Sequence, residues 1–118
     1  RPHHLCGADA NMSVIKAALR GEATGAPLDE RMCEVVAIAK RDLQPGEILH
    51  GMGSMDVRGV IVRHERAMNQ NLLPAAMAED VELLVAAPDG TPITYDMVRA
   101  PQNSALWRLR AEQDGKFF

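Results

Sequence analysis

The stretch Ala39-Lys-Arg-Asp-Leu43-Gln-Pro-Gly46-Glu-Ile-Leu49 returns later as Leu83-Leu-Val-Ala-Ala87-Pro-Asp-Gly90-Thr-Pro-Ile93, which runs on into Thr-Tyr-Asp-Met-Val98. Small or apolar residues stand at Ala39/Leu83 and Leu43/Ala87, glycines at Gly46/Gly90 and apolar residues at Leu49/Ile93, all at one constant offset. Each copy reads as a short strand, a glycine turn and an apolar anchor. The pair predicts a compact, pseudo-symmetric β module, which supplies scaffold and binding surface rather than a set of catalytic groups.

Working outward, Val35-Val-Ala-Ile-Ala39 is a buried-strand candidate, and Gln44-Pro45-Gly46-Glu47 has proline and glycine where a type II turn wants them. Leu49 pins the chain back to the core. Gly51-Met-Gly53 breaks regularity before Val57-Arg-Gly-Val60-Ile-Val62, whose β-branched density predicts a strand. If its valines point inward, Arg58 and Arg63 point to solvent. Residues 64–71 form a loop or short helix, Leu72 to Met77 an irregular turn, and Val81 to Val85 the next strand. Upstream, Arg1 to Cys6 is expected to be extended because Pro2 disfavours helix before it. Asp9, Asn11 and Ser13 compete to cap a helix that carries Val14, Ile15, Ala18 and Leu19 and ends at Gly21. Gly21 to Pro27 reads as a linker. Downstream, Asn103 or Ser104 caps a last helix with Ala105, Leu106, Trp107 and Leu109 as its apolar contacts. The predicted class is mainly β with flanking short helices, built from irregular short antiparallel strands. Residues 1–30 are expected to be the tail of an upstream catalytic region, 34–98 the β domain, and 99–118 a C-terminal helix and tail.

At 118 residues the chain fits one domain, able to bury about 65% of its unfolded surface. The interior must be aliphatic, because Tyr95, Trp107, Phe117 and Phe118 are the only aromatics and seven methionines fill irregular gaps. A net charge of −3 with scattered Lys and Arg gives no basic stripe for a phosphate backbone, so nucleic acid is not an expected partner. No apolar run has the length of a membrane span, and the N-terminus lacks the segments of a signal peptide. Cys6 and Cys33 belong to no disulfide framework and read as reduced thiols of a cytoplasmic protein. The chain opens at Arg1 without an initiator methionine, which suggests a piece of something larger.

The repeated phrases resemble the alternation of strand, glycine turn and Leu-Thr-x-Asp-x-Val found in SAF domains, which have the β-clip fold; the resemblance covers residues 34–98. Related domains occur in sialic acid synthases, altronate dehydratases and flagellar or pilus assembly proteins, so the fold leaves function open. Arg1-Pro-His-His-Leu and the segment from Ser13 to Gly25 look like the joint before the C-terminal SAF domain of homoserine-dehydrogenase-like oxidoreductases, a group that includes deoxyxylulose phosphate reductoisomerase-like enzymes. Leu73-Pro-Ala-Ala-Met-Ala-Glu79 is similar to their Leu-Pro-x-Gly-Leu-Ala-Glu stretch, with Ala76 in place of the glycine. The resemblance implies a module without a cofactor of its own, in a parent that uses NAD(P) on a small polyol or sugar-phosphate-like substrate. It would contribute an active-site wall or a subunit interface, with an upstream Rossmann domain of the same polypeptide as partner and a homo-oligomer as assembly. It also places Arg1, His3 and His4 in an anionic substrate pocket. Two rival readings are a free-standing carbohydrate or sugar-acid binding module and an assembly chaperone for an exported appendage.

Other chemistry is weaker. Gly51-Met-Gly53 is followed by Asp56 where a dinucleotide fingerprint needs its third glycine, so it reads as a bend. His3, His4, Cys6, His50 and His64 match no closed zinc pattern. Asp42, Glu47, Asp89 and Asp96 flank the two turns, where carboxylates commonly accept backbone N–H groups or face water. Lys16, on a helix whose other face is apolar, reads as a solvated or interface residue, and Cys33 has no basic neighbour but Arg31. The residues assign no catalytic group to the chain itself.

Overall fold

A computed structural model describes residues 6–26 and 30–116. It is a small mixed α/β chain with antiparallel strands and short helices: α1 (Cys6–Arg20), β1 (Cys33–Ala39), β2 (Ile48–His50), β3 (Val57–Arg63), α2 (His64–Asn69), β4 (Glu79–Leu83), β5 (Val98–Arg99) and α3 (Ala105–Lys116). Two single-turn 3-10 helices, Ala75–Met77 and Tyr95–Met97, lead into or out of the later strands. β1 pairs with β3, and β4 lies between β2 and β5, every pairing antiparallel.

The repeat explains how these pieces lock. Ile93 N–H donates to Ala37 O at 2.9 Å, and the equivalent residues of the other copy, Leu49 and Val81, face each other across β2 and β4. Ala39 N–H donates to Thr91 O at 2.9 Å, as Leu83 N–H does to Glu47 O at 2.8 Å. Gly90 N–H reaches Ala39 O at 3.0 Å, as Gly46 N–H reaches Leu83 O at 2.7 Å. The copies therefore clasp one another about a pseudo-two-fold axis, each strand capped by the other's turn. Both turn glycines need their positive φ, 87° at Gly46 and 80° at Gly90, a region that costs residues with a Cβ. Ala37, Ala39, Leu43, Leu49, Val81, Leu83, Ala87 and Ile93 fill the space between the copies and form most of one core, with Leu73, Met77 and Ala78 closing it. Small side chains in one copy face large ones in the other, so the aliphatic composition suffices to fill it.

Several expectations shift. The proposed caps Asp9, Asn11 and Ser13 lie inside α1, and Cys6 is helical rather than extended, because Ala8 and Ala10 let the helix run further back. Gly21, at φ 64°, does stop it. Leu49 belongs to a strand of its own, and β4 begins two residues earlier than Val81. The far end of β3 is covered on one side only: Val62 packs against the small cluster of Val36, Ala67 and Leu72, while Val60 and Ile61 are exposed along with Arg58 and Arg63. In α3 only Trp107 reaches the main core, edge-on to Tyr95 at 5.7 Å, whereas Ala105, Leu106 and Leu109 are exposed. Ser104 caps α3, its Oγ accepting Trp107 N–H at 3.4 Å. Ala76 is not among the residues of positive φ, so the 3-10 turn there does not require the expected glycine.

Candidate functional site

The most organised polar cluster lies where β2 turns into β3. Leu49 stands opposite Val81 and His50 opposite Glu79, which leaves Asp80 as the extra residue of a bulge at φ 55°. Gly51 and Gly53 then reverse the chain at φ 75° and 90°. Ser54 Oγ donates to Gly51 O at 2.7 Å and accepts Asp56 N–H at 3.1 Å, and Lys40 Nζ donates to Ser54 O at 2.5 Å. The loop is thus stapled from inside and from β1's end.

Asp56 is its hub. It is the one buried polar or charged residue among the described residues. Its Oδ1 accepts Arg41 Nη2 at 2.8 Å, and its Oδ2 accepts both the His50 backbone N–H at 3.1 Å and the His50 ring Nδ1 at 2.7 Å. Burial pushes the Asp56 carboxyl up, but the hydrogen bonds from His50 and Arg41 outweigh it and hold the group below the ordinary carboxylate range. Arg41 also binds Glu47, whose Oε1 accepts Gln44 N–H at 2.6 Å; the Arg41 contact, then the backbone one, lowers the Glu47 carboxyl. The His50 side chain stays 70% exposed beside a 7% exposed Asp56.

A cleft of about 400 Å³ opens on the other side of Met52, walled by Val35, Met52, Pro74, Ala76, Met77 and Leu106. Gly59 keeps it open: a Cβ there would sit 2.8 Å from Val35 Cγ1 and 3.2 Å from Met52 Sδ. The cleft's polar edge is already neutralised. Arg110 pairs with Glu34 at 2.6 Å and with Asp114 at 3.0 Å, while Arg31 holds Asp114 at 2.5 Å. Burial works against the Arg110 charge, yet the bond to Glu34 outweighs it, so its proton is held more tightly than usual. These pairs tie α3 to the start of β1.

Arg1, His3 and His4, assigned to a substrate pocket on resemblance, lie outside the described residues, as do Phe117 and Phe118. Among the described residues no three His, Cys, Asp or Glu side chains converge as metal ligands, and Cys6 and Cys33 are free and exposed. Asp42 accepts Asp89 N–H at 2.9 Å, bridging the two turns, and Asp96 accepts Asn71 Nδ2 at 2.8 Å. Sequence reasoning passed over Asp56, which entered it only as a residue that is not glycine. A signal existed in its position after a glycine-rich reversal, within reach of His50, but only the β2–β3 geometry brings Arg41 to the same carboxylate. No helix among the described residues is long and apolar enough to cross a membrane. No protein-family model and no curated protein sequence matches the chain.

Proposed function

We propose that this chain is a SAF-like β-clip module of an NAD(P)-dependent oxidoreductase, forming one wall of its active site or an interface between its subunits. The observation that carries this reading is α1. Met12, Ile15 and Leu19 recur at helical spacing on one side of a 15-residue helix, and they are 55%, 47% and 79% exposed. Surface of this kind is covered by another domain or subunit when the protein works. Lys16, one turn after Met12, and Arg20, one turn after Lys16, border the stripe, which gives it an apolar centre with a charged rim.

The clasped repeat supports the β-clip part of the reading, because its two turns interlock instead of lying side by side. In the parent, the cofactor and the hydride chemistry belong to a Rossmann domain of the same polypeptide, which this chain does not contain. The rival sugar-acid binding module finds less support: the cleft has the size of a small ligand, but its walls are apolar and Arg110 is committed to Glu34 and Asp114. Reading the coding sequence upstream of Arg1 tests the proposal. A strand followed by G-x-G-x-x-G and a helix is the expected result; an exported leader or a start codon directly before Arg1 would refute it.

A further inference from the structure

We propose that His50 is a proton-transfer group, its Nε2 taking a proton from a hydroxyl of a small substrate held against this face by the covering domain; this rests on the wall reading above. Two contacts, from Arg41 and from the His50 backbone N–H, already give Asp56 the partners that a structural carboxylate needs. The third, from ring Nδ1 at 2.7 Å, adds nothing to the backbone and fixes the imidazole instead. With Asp56 ionised, Nδ1 carries the hydrogen and the Nε2 lone pair is left for an outside proton, the orienting arrangement that a histidine base needs.

Arg41, Glu47 and Asp56 together leave one negative charge beside the ring. Lys40 is held by Ser54 O, and Glu79, across from His50 on β4, adds a further carboxylate to that side. In the step, the substrate O–H bond breaks, its electron pair stays on oxygen, the proton forms the Nε2–H bond, and Asp56 remains ionised against the imidazolium. The reverse step returns the proton. Stapling by Ser54 and Lys40 keeps the ring in place before any substrate arrives.

The test uses the 118-residue chain with His3→Gln, His4→Gln, Cys6→Ser and Cys33→Ser, so that those two imidazoles and the two exposed thiols are removed, and p-nitrophenyl acetate as probe. His64 cannot substitute, since both of its ring nitrogens are buried. The Nε2 lone pair attacks the acetyl carbon, p-nitrophenolate leaves, and water then releases acetate and restores the ring. His50→Gln is expected to lower the rate above buffer by about ten-fold or more. In parallel, the imidazole ¹⁵N spectrum at pH 8 should show His50 as the Nδ1–H tautomer, and Asp56→Asn should shift it toward Nε2–H. An unchanged rate in His50→Gln, or an Nε2–H tautomer in the parent, overturns the proposal. Both readouts concern this chain alone, so their failure is distinct from failure to find a cofactor domain upstream.

Discussion

Leu43 and Ala87 exchange both backbone hydrogen bonds, Leu43 N–H to Ala87 O at 2.9 Å and Ala87 N–H to Leu43 O at 3.0 Å, and both side chains are fully buried. They are the same position of the two repeats, so this pair marks the pseudo-two-fold axis. The turn glycines on either side of it share a positive φ, 87° at Gly46 and 80° at Gly90.

Gly46→Ala and Gly90→Ala should therefore destabilise the chain by similar amounts. Neither Cβ would meet an atom within 4 Å, so the cost is that of a positive φ alone, about 1–3 kcal/mol. Urea unfolding of the two variants checks it: matched midpoints are expected, and a neutral effect at one turn would break the equivalence.

Gly59→Ala is a different case, because φ there is unexceptional and the obstacle is space. Val35 and Met52 must move by several tenths of an ångström, at about 1–3 kcal/mol. The Met52 methyl resonance should shift along with the loss of stability.

Acid unfolding depends on Asp56. Its folded pKa is depressed, so its contribution is present above the ordinary carboxylate pKa and is lost as pH falls through the folded value. Stability should fall from about pH 5 downward, and Asp56→Asn, though less stable at pH 7, should show a shallower slope over that window. Unfolding free energy measured from pH 7 to 3 tests this; parallel slopes would contradict it.

Helix α3 is held by Glu34 and Arg110, each side chain about one-seventh exposed. Glu34→Ala removes the partner of Arg110 Nη2 and leaves the largely buried guanidinium with Asp114 alone, at about 1.5–3 kcal/mol. Amide exchange in 105–116 should accelerate before that of β1.

Much of this fold could be read from Gly46, Gly90 and the apolar positions around them, because a turn glycine and an alternating strand are local signals. What the repeat could not announce was the clasp itself, since which strand each turn caps is a matter of register between distant segments. The start of α1 was misplaced for a related reason: Asp9, Asn11 and Ser13 are all competent caps, and local chemistry does not rank them. The cluster at Asp56 was hard to see because Arg41, His50 and Asp56 obey no spacing rule, and Arg41 meets the carboxylate only once the β2–β3 reversal is folded against the end of β1. His50 had been weighed as a metal ligand, and its pairing with a buried carboxylate gives it a different use.

Calorimetric titration of NADPH and of a sugar acid, each into the 118-residue chain and into the longer polypeptide that the proposal expects to carry it, tests the functional reading most directly. A wall without a cofactor site predicts that the chain alone binds neither and that the longer polypeptide binds NADPH. Saturable binding of the sugar acid by the chain alone, with no NADPH binding by the longer polypeptide, would contradict it.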